Sequence, residues 1–178
     1  MPTTVSTATS STFAFPPAVR APVLSVLLFA AAFGAHEVMH LLVLYAVGGH
    51  GSIVVRPWLL TSANVAIPSL HVQPDQPIGL FRQLLVNFLG PILAAIPFAA
   101  LLCSVKEPVA RIALIANVAI LVFYAVIEAG DLLLESLADF DATILTTPEF
   151  NYGVPALIIL IAVVAALRHR TEVQVATG

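Results

Sequence analysis

The stretch Phe33-Gly34-Ala35-His36-Glu37-Val38-Met39-His40-Leu41-Leu42 places two histidines and a glutamate inside a run that is otherwise lipid-soluble. Its flanks, Ala21 to Ala35 and Leu41 to Val47, are almost wholly apolar. A run of this length reads as a membrane-crossing helix. Residues four apart share one face of a helix, so His36 and His40 can grip a single ion. Glu37 follows the first histidine, where a base for a metal-activated water is wanted. Ionisable side chains are costly at such a depth and by default mark a functional site.

The composition agrees with that solvent. Of the 178 residues, 60% are hydrophobic and only 10% charged, and the mean hydropathy is +1.01. A soluble domain carries about a quarter charged residues. The apolar runs do not alternate at period two, which predicts helices rather than a barrel. A net charge of −3 and the lack of any basic run argue against a nucleic-acid partner. The single cysteine, Cys103, cannot form an internal disulfide.

Outward from the histidines, residues 1–18 are rich in Ser, Thr, Ala and Pro and read as a flexible polar tail. They lack the positive charge that a secretory signal carries ahead of its apolar region. The first span is expected from Val19 to Val47, stopped by Gly48-Gly49. Within the connection that follows, Gly51 to Arg56 is β-like and Asn64 to Ile67 offers a returning strand. Together they predict a hairpin near the membrane surface, with Trp58 as an interfacial anchor. His71 to Pro77, with its two prolines, reads as loop. The second span is expected over Phe81 to Cys103, carrying Gly90-Pro91 and Pro97. The third runs from near Val109 to Ile127. The fourth, Tyr152 to Leu167, is closed by Arg168-His169-Arg170, and residues 171–178 read as a mobile tail.

The expectation is therefore an all-α integral membrane protein of about four transmembrane helices, with a β-hairpin-like segment in the first loop. Residues 19–170 form a single polytopic domain. The partner at every span is the lipid bilayer, expected to be the cell (inner) membrane. The distribution of Arg and Lys over the loops places both termini in the cytoplasm.

A zinc ion bound by His36 and His40 needs a third protein ligand and an open position for water. Glu128 and Asp131 stand at the end of the third apolar run, with Glu135 one turn past Asp131. Asp131 follows Gly130, which allows close approach of another segment. It is the first candidate ligand and Glu128 the second. A metal-free reading has the histidines hydrogen-bonding neighbouring helices. A haem site draws its histidines from separate helices, so the i, i+4 pair suits one tetrahedral ion better. Asn87 and Asn117 are isolated polar residues in apolar helices. Each is a candidate for bonding a substrate backbone or for an interhelical hydrogen bond. His50 and His71, in the first loop, read as solvated.

Taken in order, these residues resemble the site-2 protease family of intramembrane zinc metalloproteases. His36-Glu37-x-x-His40 is similar to the family's metal helix. Gly48-Gly49 followed by Ile53-Val54-Val55-x-Pro57 is similar to the membrane-associated hairpin after it. Asn87-Phe88-Leu89-Gly90-Pro91-Ile92-Leu93-Ala94 looks like the second core helix. Glu128-Ala129-Gly130-Asp131-Leu132 falls where the third core helix carries an aspartate ligand, although here Gly130 precedes the aspartate. The likeness covers about residues 30 to 135. It implies a zinc-dependent endopeptidase that cleaves a transmembrane protein or peptide, with Zn2+ held by His36, His40 and Asp131 and with Glu37 as general base. It also implies that the substrate unwinds, and an edge of the residue 51–67 hairpin could then pair with it. The alternative is a catalytically inactive relative that serves as a structural or regulatory subunit of a membrane complex.

Overall fold

The computed structural model describes residues 16–56, 59–60, 65–66, 69–138 and 147–177. Four long helices carry the chain: α1 (Pro17–Ala46), α2 (Leu80–Ser104), α3 (Pro108–Ala138) and α4 (Pro148–Thr177). All four are long and apolar enough to cross a membrane. Large apolar side chains that face outward, such as Leu27, Ile96, Ile115, Val126 and Ile161, would be a liability in water. They suit a hydrocarbon solvent, where each helix satisfies its own backbone polar groups.

Between α1 and α2 the described residues form four short strands: β1 (Gly51–Arg56), β2 (Leu59–Leu60), β3 (Val65–Ala66) and β4 (Ser69–Pro74). β1 pairs antiparallel with β4, with Ile53 opposite Val72 and Val54 opposite His71. β2 pairs with β3 further out. The hairpin is thus present, but its main returning strand is Ser69–Pro74, a segment whose second half had the signature of a loop. The alternation Leu70-His71-Val72-Gln73 is a period-two signal that Pro74 and Pro77 obscure. Trp58 lies outside the described residues, as do residues 1–15 of the polar tail.

The end of α1 follows from its glycines. Gly48 has φ 79°, a left-handed conformation that glycine adopts without a Cβ penalty. The turn is closed by Gly48 N–H to the Tyr45 carbonyl and Gly49 N–H to the Leu44 carbonyl. Tyr45 then donates its hydroxyl to the Gly51 carbonyl at 2.9 Å, fixing the hairpin to the helix end. Val72 packs against a cluster formed by Val43, Leu44 and Val86.

Prolines sit inside α1 (Pro22), α2 (Pro91 and Pro97) and α4 (Pro155). Each leaves a carbonyl without its helical donor, which a membrane bundle tolerates where neighbours compensate. The most apolar stretch of α3 is 50% buried, against 17% for those of α1 and α4, so α3 is the central helix. Small side chains, Ala32 of α1 with Ala94 and Ala95 of α2, let backbones approach around Phe98, Leu114 and Leu121. α3 runs about ten residues past Glu128, so the carboxylates Glu128, Asp131 and Glu135 stand inside the helix and not beyond its end. α4 likewise continues to Thr177, through the segment expected to form a tail.

Candidate metal centre

α1 and α3 run in the same direction, and each brings its key residue to one level. At a rise of 1.5 Å per residue, His36 and Glu128 both stand about 15 Å before the ends of their helices. That is about half the thickness of a hydrocarbon core. His36 is 1% exposed, Glu37 6% and His40 7%. His36, His40 and Glu128 form a group whose ligand atoms all lie within 4.8 Å of one another. Of the two carboxylates considered for the third ligand, Glu128 is the one brought to the histidines. Asp131, almost one turn further along α3, is not in the group.

Local contacts fix each member. His40 packs against Gly90 of α2, where a Cβ would lie 2.5 Å from its Nδ1. Its Nδ1 lies 2.9 Å from the Val86 carbonyl of α2. A carbonyl can only accept, so Nδ1 carries the proton and donates it there. In the neutral ring this leaves Nε2 as a lone pair turned inward. His36 stacks on Tyr124 of α3 with ring centroids 5.1 Å apart and 22° between planes. The Tyr124 hydroxyl donates to the Asn151 carbonyl of α4 at 2.9 Å. Asn87 of α2 donates through Nδ2 to the Glu128 carbonyl at 3.3 Å and so ties α3 to α2 at the level of the site.

The converging atoms are two imidazole nitrogens and a carboxylate; among the described residues His36, unlike His40, has no hydrogen-bond partner at its Nδ1. The two Nε2 atoms are 2.6 Å apart. Glu128 Oε1 is 3.3 Å from His36 Nε2, and Oε2 is 3.0 Å from His40 Nε2. The edge of a tetrahedron with ligand bonds of about 2.0–2.1 Å is about 3.3–3.4 Å. The carboxylate-to-histidine edges are of that size or slightly shorter, and the His–His edge is shorter still. With the His40 proton committed to Val86, protons are too few to hydrogen-bond every close pair in this group. A cation at the centre relieves all three contacts at once. The charge at the site argues the same way. Glu37 and Glu128 both line two adjoining cavities, and among the described residues neither cavity is lined by Lys or Arg. Two imidazoles and one carboxylate form a donor set that suits zinc or a similar divalent ion.

The cavities adjoin the group, one lined in part by α2 and the other by α4, at about 210 Å³ and about 240 Å³. Glu37, His71 and Glu128 are common to both. Glu37 accepts a hydrogen bond from the backbone of Val72, which ties β4 over the site. His71, expected in a solvated loop, is partly buried on β4 beside Glu37. Asn87 lines the first cavity. Asn117 lines neither; it is fully buried and donates to the Ala113 carbonyl of its own helix at 2.8 Å. Tyr124 and Tyr152, which also reach the site, carry no spacing signal in the sequence; only the packing of α3 and α4 against α1 reveals them.

No family model, curated protein or solved structure matches the chain. Among the described residues, the fold and the site define a protein of membrane character with four helices long and apolar enough to span a membrane and, beneath a β-hairpin, a His–His–carboxylate cluster whose histidines are buried and whose Glu128 is partly buried.

Proposed function

We propose that the protein is a metal-dependent intramembrane endopeptidase. The observation that carries this reading is the placement of Glu37. It shares a helix face boundary with two histidines whose Nε2 atoms converge on Glu128, and it lines both cavities beside them. His36, His40 and Glu128 are the residues that would hold the ion. When bound there, zinc supplies a Lewis acid that polarises a peptide carbonyl and makes a water acidic enough to be used near neutral pH.

The chain's own residues do the rest. Glu37 takes the proton from the attacking water and delivers it to the leaving nitrogen. The Val72 backbone bond orients its carboxylate for that exchange. The Val86 carbonyl holds His40 in the tautomer that leaves Nε2 unprotonated, and Tyr124 holds the plane of the His36 ring. A peptide must be extended to reach the site, because the bonds of a helix are shielded. The β1–β4 hairpin supplies a strand edge that can pair with it.

The test is cleavage of a single-span model peptide by the purified protein in nanodiscs. Cleavage is expected with zinc and is expected to vanish with a chelator. Glu37→Gln should lower the rate by about 10²–10⁴-fold while leaving bound metal unchanged. Cleavage that survives Glu37→Gln removes the residue from its role as base.

A further inference from the structure

The two cavities are unlike in chemistry, and they meet at the residues of the site. On the α2 side, the wall is aliphatic with two amides: Val72, Ile78 and Val86, with Gln83 and Asn87. On the α4 side three aromatic rings, Phe33, Tyr124 and Tyr152, stand with Leu70, Ile127 and Asn151. The ring of Tyr124 is held in place by its stack on His36 and by its hydroxyl bond to Asn151. Tyr152 is brought to the same cavity by the first turns of α4. An extended peptide lying beneath β4 therefore crosses from a half without Phe or Tyr among the described residues to a half with three such rings, with His36, His40, Glu128 and Glu37 between them.

We propose that the α4 half is the specificity subsite, which takes one large aromatic side chain of the substrate next to the bond that is cut. Aromatic rings prefer edge-to-face contacts with other rings, and a rigid Tyr124 beside Tyr152 presents such edges and faces at no cost in ordering. The α2 half, lined by Val72, Ile78, Val86, Gln83 and Asn87, offers no Phe or Tyr ring among the described residues to such a side chain. This assignment rests on the endopeptidase reading only for its statement about the cut bond; the binding preference stands apart from it.

The experiment uses two transmembrane peptides of about 25 residues, identical except for Phe or Ala at one central position. Their affinities are measured by fluorescence anisotropy for the full chain carrying Glu37→Gln, loaded with zinc in nanodiscs. Cut sites made by the unsubstituted protein are mapped by mass spectrometry. The Phe peptide should bind about tenfold tighter, the upper scale of a favourable ring–ring contact. Tyr152→Ala should level the two affinities, and Tyr152→Phe should restore the preference. Equal affinities in the parent, or a preference that survives Tyr152→Ala, overturns the subsite. Cutting without regard to the Phe position also overturns it and leaves the endopeptidase reading in place. A binding preference without any cutting keeps the subsite and ends the endopeptidase reading.

Discussion

Gly90 of α2 lies directly against the imidazole of His40 of α1: a methyl group there would stand 2.5 Å from Nδ1 and 2.8 Å from Cγ. The contact makes the glycine part of the site although it has no chemistry of its own. Gly90→Ala should force the ring off the Val86 carbonyl, at a cost of about 1–3 kcal/mol for overpacking. The variant is expected to bind metal much more weakly than the parent while keeping its helix content. Metal titration followed by far-ultraviolet circular dichroism separates these effects. Unchanged metal affinity would mean that His40 is not held as described.

Tyr124 makes two separable contacts, and two substitutions distinguish them. Tyr124→Phe keeps the ring on His36 and loses the hydroxyl bond to Asn151. It should cost about 0.5–1.5 kcal/mol and leave bound metal unchanged. Hydrogen exchange should rise in the first turns of α4, near residues 148–155. Tyr124→Ala removes the stack as well and should also weaken metal binding. Equal metal affinity in both variants would remove the ring from its positioning role.

Asn87 bonds the backbone of Glu128 and not its carboxylate. Asn87→Ala should therefore act modestly. Stability should fall by about 0.6 kcal/mol, the average for such bonds between membrane helices. Metal affinity should fall by less than the roughly tenfold that a direct partner of a ligand commands. Isothermal titration calorimetry reads this directly, and a complete loss of binding would show that Asn87 has a closer role.

Much of this arrangement was legible in the sequence, and the remainder was hidden for physical reasons. Runs of apolar residues announce four helices because only a helix or a closed barrel can satisfy its backbone in lipid. His36, Glu37 and His40 are readable because their spacing is local to one helix. Gly48-Gly49 is readable because a left-handed turn needs glycine. The choice between Glu128 and Asp131 was not readable. They are three residues apart on one helix, and which of them meets the histidines depends on how α3 is rotated about its axis. That rotation is set by contacts distant in sequence, such as Asn87 with Glu128. β4 was hidden because its partner β1 is separated from it by the outer strands and because Pro74 and Pro77 suggest a break. His71 was misplaced for the same reason: a loop histidine becomes a wall of the site once β4 forms.

The claim on which the rest depends is that His36, His40 and Glu128 hold one metal ion. The most direct measurement is the metal content per chain of the purified protein, by inductively coupled plasma mass spectrometry, beside that of His36→Ala, Glu128→Ala and Asp131→Ala. The expected result is about one zinc or similar divalent ion per chain in the parent, as one three-ligand site demands, with the ion lost in His36→Ala and Glu128→Ala and retained in Asp131→Ala. A parent without metal, or a metal that survives Glu128→Ala and leaves with Asp131→Ala, would contradict it.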